Sequence, residues 1–279
     1  MNPEPDTTQD TQLRVHCTAD ADGRLTFRLP ALAAPGPQVL LRLRPKKGQT
    51  EETVHVLDVE AVDDGTWRAV LEPRPALAEG RWDVYLLPEP GAPRQRLRPG
   101  LRDVRALVDG HTLDRPSPVA VRVPYPTKDG YLAVRAWLRT AHAEVERMAV
   151  TDGSMTVTAR MHGAALEAGA VVRLRARGAK GAVLTREPQV DSGSRQFSFT
   201  VDYAELVAAD AVGDRVWDLS VHPGSGAGAT ARIGRLLDDL AERKEIFVYP
   251  SAAVAGVAVR PYYTVDNDLS VEVTSAQHR

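Results

Sequence analysis

A chain of 279 residues has room for two domains of ordinary size, and with 43% apolar and 26% charged residues it can bury a core and is not globally disordered. The net charge of −2 argues against a protein whose main work is coating nucleic acid. The single cysteine, Cys17, excludes an intrachain disulfide and a Cys-rich zinc site.

Residues 1–12, MNPEPDTTQDTQ, are polar and acidic and read as a disordered tail, with none of the basic and apolar character of a signal peptide. No apolar run reaches the roughly 18 residues of a membrane span. The expected location is therefore the cytoplasm. From residue 13 onward the apolar period is close to two. Leu25-Thr26-Phe27-Arg28-Leu29, Leu41-Arg42-Leu43-Arg44 and Thr53-Val54-His55-Val56 alternate, which places one strand face on a core and the other in water. Turn clusters such as Asp63-Asp64-Gly65 and Asp109-Gly110 punctuate these short segments, as in a β-sandwich.

The pattern then repeats. Asp22-Gly23-Arg24-Leu25 matches Asp152-Gly153-Ser154-Met155, Leu40 to Arg44 matches Val171 to Arg175, and Thr66-Trp67 matches Gln196-Phe197. Trp82-Asp83 matches Trp217-Asp218, and the segment from Val119 to Ala136 matches that from Val257 to Val273. The last pair predicts two closing hairpins, each with a tight two-residue turn at Asp129-Gly130 and Asp266-Asn267. These matches predict an all-β fold of two tandem β-sandwiches, residues 13–139 and 144–274, joined by a short linker at Arg139 to Glu144. Helical spacing of Leu236, Leu237 and Leu240 predicts one short crossover helix over Leu236 to Arg243, with a shorter counterpart near Leu101 to Arg105.

The search for chemistry is less productive. Gly224-Ser225-Gly226-Ala227-Gly228 lacks the Lys-Ser/Thr of a phosphate loop, and no G-x-S-x-G elbow occurs. The seven histidines are scattered singly, so no metal site and no cofactor are expected. Cys17 sits in an alternating strand and reads as a small core residue. The carboxylate pairs Glu51-Glu52, Asp63-Asp64 and Asp238-Asp239 read as solvated charge. Trp67, Trp82 and Trp217 read as core, and Tyr131 and Trp137 as the better sugar-stacking candidates. Arginine outnumbers lysine 30 to 5 and recurs at alternate positions. Arg42 and Arg44, with Lys46 and Lys47, form one set, and Arg94, Arg96 and Arg98 another. Arg173, Arg175 and Arg177 repeat the first, and Arg232 and Arg235 remain of the second. Guanidinium forks on one strand face suit phosphates or carboxylates, and a solubilising outer face is the plainer reading. Arg122 and Arg260 recur in the paired hairpins and read as structural salt bridges.

Side by side, the G-x-W-x-A-x-L strand (Gly65 to Leu71), the G-R-W-D-x-Y strand (Gly80 to Tyr85) and the V-R-P-Y-x-T-x-D-N-x-L-S-V hairpin show a further likeness. Over residues 13–274 the chain resembles the tandem immunoglobulin-like accessory modules of actinobacterial glycosyltransferases and glycerophosphotransferases that build teichoic-acid-type polymers. The resemblance implies a non-catalytic accessory or scaffold role, with a transferase partner or self-assembly through sandwich edges. The arginine faces suggest an alternative, an anionic-glycan-binding module using Arg42, Arg44, Arg173 and Arg175, with Tyr131, Arg135 and Trp137 as a contact surface on the first hairpin. A transferase or hydrolase with a site between the domains is the third reading.

Overall fold

The computed structural model describes residues 13–31, 36–45, 48, 53–62, 65–178, 181–193, 195–209, 214–224 and 228–275. The tail at 1–12, Lys46, Lys47, Glu51-Glu52, Asp63-Asp64, residues 225–227 of the glycine-rich loop, and His278 lie outside them.

Among the described residues the chain is all-β with two short helices, and its strands form two sheets. The first sheet contains β1 (Arg14–Ala19), β2 (Leu25–Pro30), β3 (Gln38–Leu43), β4 (Val54–Ala61), β5 (Thr66–Leu71), β6 (Gly80–Leu87), β7 (Gln95–Arg96), β8 (Arg98–Asp103), β9 (Val119–Pro126) and β10 (Leu132–Arg139). The second contains β11 (His142–Val150), β12 (Ser154–His162), β13 (Val171–Ala176), β14 (Val183–Arg186), β15 (Gln189–Val190), β16 (Gln196–Asp202), β17 (Arg215–His222), β18 (Ala231–Gly234), β19 (Ala252–Val254), β20 (Val257–Tyr263) and β21 (Leu269–Ser275). Helices α1 (Arg105–Asp109) and α2 (Tyr203–Ala209) complete the set. Compact units divide the chain into Met1–Asp109 with Arg122–Ala136, and Gly110–Val121 with Trp137–Arg279.

Strand order runs β8-β1-β2-β5-β4-β3-β6-β10-β9 in the first sheet and β15-β16-β12-β11-β18-β17-β21-β20-β19 in the second. Matched pairings recur: β1 with β2 and β11 with β12, β2 with β5 and β12 with β16, β3 with β6 and β13 with β17, β6 with β10 and β17 with β21. The parallel pairs β1·β8 and β11·β18 are the least local of these and occur in both copies. Alternation puts Leu25, Phe27, Leu29, Leu41, Trp82 and Val84 in the first core, and Met155, Val157, Phe197, Leu174, Trp217 and Leu219 in the second. Trp67, by contrast, is only half-buried. Cys17 is 1% exposed, and burial pushes its thiol up to about 12, which makes it a core residue.

Four expectations need correction. Leu236 to Arg243 is not helical. Glu144 takes the Leu236 and Leu237 N–H groups (2.8 and 3.1 Å), Asp238 takes that of Leu240, and Arg243 Nε donates back to the Arg235 carbonyl (2.8 Å). A helix would leave the first two N–H groups without an internal partner, but it would pair the Leu240 N–H, which here goes to Asp238, and the Arg243 N–H, which goes to Asn267 Oδ1 (3.1 Å). Near Leu101 to Arg105, residues 98–103 form strand β8, and the helix begins only at Arg105. The segment expected to link the domains consists of the end of β10, a two-residue corner and the start of β11, with Arg139, His142 and Glu144 all buried.

Finally, the hairpin turns are one residue longer than expected. Thr127 N–H donates to Tyr131 O and Gly130 N–H to Thr127 O, and the same bonds join Thr264, Asp268 and Asn267. The left-handed position falls on Gly130 (φ 80°) and Asn267 (φ 60°). Asn267 offsets its backbone strain with its side chain, which donates to Leu240 O (3.0 Å) and accepts from Arg243 N (3.1 Å).

Candidate functional site

Register fixes which residues of the two copies correspond. Leu41 pairs with Val84 in the first copy, and Leu174 with Leu219 in the second. With Trp82-Asp83 equivalent to Trp217-Asp218, Arg42 corresponds to Arg175 and Arg44 to Arg177. The sequence match of Arg42 with Arg173 is therefore two residues out of step. A dyad slip keeps every side chain on its own face, so alternation alone does not reveal it. The equivalent of Arg173 is Leu40, 4% exposed. Tyr85 pairs with Arg96 as Ser220 pairs with Arg232, so Tyr85 corresponds to Ser220 and Arg96 to Arg232.

One interaction is common to both copies. Arg44 grips Asp83 with Nε (3.0 Å to both oxygens) and Nη2 (2.7 Å), and Arg177 grips Asp218 in the same way (3.1, 2.9 and 2.8 Å). In each case hydrogen bonding to the aspartate raises the arginine pKa. The surroundings differ. In the first copy Arg96 contacts Asp83 (3.3 Å) and Asp129 (2.8 Å) and lies 4.0 Å from the Tyr131 ring centre, with Arg98 at 5.1 Å. Leu40, Tyr85 and Tyr131 supply bulk where the second copy has Arg173, Ser220 and Asp268.

The second copy carries an open groove of about 620 Å³ lined by, among others, Arg173, Arg175, Arg177, Arg232, Lys244 and Tyr262. β13 forms one wall. β17 forms the floor with Asp218, Ser220 and His222, and β18 and the β20–β21 turn form the other wall. Two of its three acidic residues, Asp218 and Asp268, are engaged by arginines, and Asp266 is the third. Asp218 holds Arg177 and accepts from Ser270 Oγ (2.9 Å), while Asp268 holds Arg232 (2.9 Å) and Arg139 (2.7 Å). Arg173 and Arg175 are exposed and have no ion-pair partner among the described residues. Lys244 lies 6.0 Å from the Tyr262 ring centre.

Behind Asp268 a buried chain continues. Arg139 Nη1 is 3.3 Å from His142 Nδ1, and because a guanidinium only donates, His142 accepts there and donates Nε2–H to Glu144 (2.8 Å). Burial pushes the Glu144 carboxyl up, but the His142 ring and the Leu236 and Leu237 N–H groups outweigh it and leave the pKa lowered. His162 is fully buried, accepts from Arg115 N (3.3 Å), and is held down to about 4, chiefly by burial.

Of the arginines singled out from the sequence, Arg173, Arg175, Arg177 and Arg232 come together in the groove. Arg42 is half-buried, and Arg44 is committed to Asp83. Arg135 (4% exposed) and Trp137 (1%) are buried, with the Trp137 indole N–H on the Asp266 carbonyl (2.9 Å), so neither forms the contact surface expected of the first hairpin. Tyr131, half-buried, is covered by Arg96 and Arg98. Arg122 is not a salt bridge but a buried clamp on the Glu72 (2.6 Å) and Pro73 (2.5 Å) carbonyls, whereas Arg260 does pair with Glu272 (2.6 Å). Ser220, Lys244, Tyr262 and Asp268 escaped sequence reasoning because no local pattern marks them.

The fold and groove define a duplicated all-β protein with a cationic cleft on its second copy. The chain matches no family model and no curated protein. Among solved structures it is similar to S. aureus TarS, over 78% of this chain and 39% of that one, at 14% identity and a TM-score of 0.29. It is also similar to S. aureus TarS 217–571, over 79% and 62%, with the same identity and score. The chain thus spans less than two thirds of either, and a similarity this weak carries no argument.

Proposed function

We propose that this chain is a non-catalytic module that binds an anionic glycan or glycopolymer and works beside the transferase that builds it. The observation that carries the binding role is the pair Arg173 and Arg175, two exposed guanidiniums in a groove that also holds Arg177, Arg232 and Lys244 against three aspartates, of which Asp218 and Asp268 are engaged by other arginines. Such a groove attracts negative charge and offers it forked donors. Asp218 and Asp268 serve there to hold arginines in place, which supports a binding role over a catalytic one. The transferase partner rests on the motif resemblance.

The test is binding to immobilised anionic polymers. Arg173→Ala with Arg175→Ala is expected to abolish retention, and Arg42→Ala to leave it unchanged. Equal retention of the double variant and the unaltered chain refutes the reading.

A further inference from the structure

We infer that the first copy carries a separate site, on the outer face of β8, β1 and β2, for an amphipathic organic anion, a molecule with an apolar body and one acidic headgroup. The inference is independent of the groove on the second copy.

The site is a cavity of about 780 Å³ lined chiefly by Arg14 and His16 on β1, Arg28 and Pro30 on β2 and Leu101 on β8, with Leu13 beside them. That volume suits one small organic molecule. A bulge shapes it. Val15 pairs with Pro99 and Cys17 with Arg102, so Gly100 and Leu101 together face His16. The extra residue leaves the Leu101 side chain 76% exposed, the most exposed large apolar side chain among the described residues. His16 fixes it there, because its Nδ1 accepts the Leu101 N–H (3.1 Å). Gly100 permits the close approach, since a Cβ at that position would come within 3.2 Å of His16 Nδ1 and of the Val15 carbonyl oxygen. The matching parallel pair β11·β18 runs without a bulge, so the fold itself does not require one.

Cationic donors stand around the leucine. With Nδ1 accepting, the neutral His16 ring carries its proton on Nε2 as a further donor. Arg28 lies directly opposite His16 across the β1·β2 pair, is exposed, and has no ion-pair partner among the described residues. Arg14 uses one bond on the Pro99 carbonyl (3.2 Å). Asp103, the one acid of the cavity, is taken by Arg105 Nε and Nη2 (2.9 and 2.8 Å). Positive charge and apolar surface thus share one concavity. A neutral apolar ligand would cover the guanidiniums without pairing them, and a bare anion would leave Leu101, Leu13 and Pro30 in water. Only a ligand with both characters satisfies both halves. Where the first copy has Arg28 the second has Thr158, so the site is confined to the first.

The test is displacement of 1-anilinonaphthalene-8-sulfonate from the full chain, followed by fluorescence, with decanoate, decanol and acetate as competitors. Decanoate is expected to act at a concentration at least about tenfold lower than either of the others. Arg28→Gln should weaken decanoate about tenfold through loss of a charge-assisted hydrogen bond, and Leu101→Ser about fivefold through loss of apolar contact. Both side chains are exposed, so the circular dichroism spectrum should not change. Arg173→Ala with Arg175→Ala should leave decanoate binding as it was, which separates this site from the second-copy groove. Decanol or acetate competing as well as decanoate, or decanoate binding untouched in either Arg28→Gln or Leu101→Ser, overturns the inference. So does a Leu101→Ser variant that alters the oligomeric state in light scattering while decanoate fails to bind the unaltered chain, which would make this face a contact between copies.

Discussion

Acid should weaken this protein through His162. The folded chain protonates that ring only near pH 4, against an ordinary value of 6.5, because the buried site disfavours the imidazolium. The unfolded chain takes up the proton near 6.5. Stability from this group is therefore complete above pH 6.5 and is lost as the pH falls through the window from 6.5 to 4. The difference of about 2.5 units corresponds to at most about 3 kcal/mol. Urea denaturation at pH 7, 6, 5 and 4 measures it. Ordinary carboxylates add their own slope below pH 5, so the comparison is with His162→Asn, whose side-chain oxygen can still accept from the Arg115 N–H. The unaltered chain should lose about 3 kcal/mol more than the variant between pH 7 and 4. Parallel profiles for the two would refute the reasoning.

Three further outcomes follow from the geometry. Ser220→Tyr, which gives the second copy the residue of the first, should fill the groove and weaken anionic-polymer binding at least about tenfold, with the circular dichroism spectrum unchanged. Arg122→Leu should cost about 2–4 kcal/mol in chemical denaturation because it strips buried carbonyls of their donors, whereas Arg260→Leu, which breaks a partly exposed pair, should cost about 1 kcal/mol or less. Asn267→Gly relieves the backbone at φ 60° but loses two buried hydrogen bonds; a net loss of about 1–2 kcal/mol is expected, and a gain in thermal midpoint would show that the bonds contribute nothing.

The duplication was legible because Met155, Val157 and Ala159 pair with Val201, Phe199 and Phe197 as Leu25, Phe27 and Leu29 pair with Leu71, Ala69 and Trp67, at the same spacing of 130 residues seen in the sequence. Alternation carries that information along each strand. It carries none about a slip of two, which is why Arg42 was matched with Arg173. The helix expected at Leu236 gives way where Asp238 and Asn267 take the Leu240 and Arg243 N–H groups that its second turn would pair internally. α2 did announce itself, since Asp202 caps Ala204 N (2.8 Å) with Glu205 three residues on, but seven residues leave little periodicity to read. The groove was half legible: Arg173 and Arg175 stand out on one strand, but the opposing Arg232 and the floor residue Ser220 join them only through strand pairing.

The two kinds of arginine in the groove divide its kinetics. Arg173 and Arg175, exposed and without an acid partner among the described residues, project a positive field into solvent and should set how fast a polyanion arrives, an effect that fades with salt as the Debye length falls from about 10 Å at 0.1 M to 3 Å at 1 M. Arg177, paired with Asp218, and Arg232, which shares Asp268 with Arg139, add less to that field and act at short range. Raising salt should therefore slow capture far more than it hastens escape, so that a polymer bound at low ionic strength is released slowly even under conditions in which it would barely associate anew.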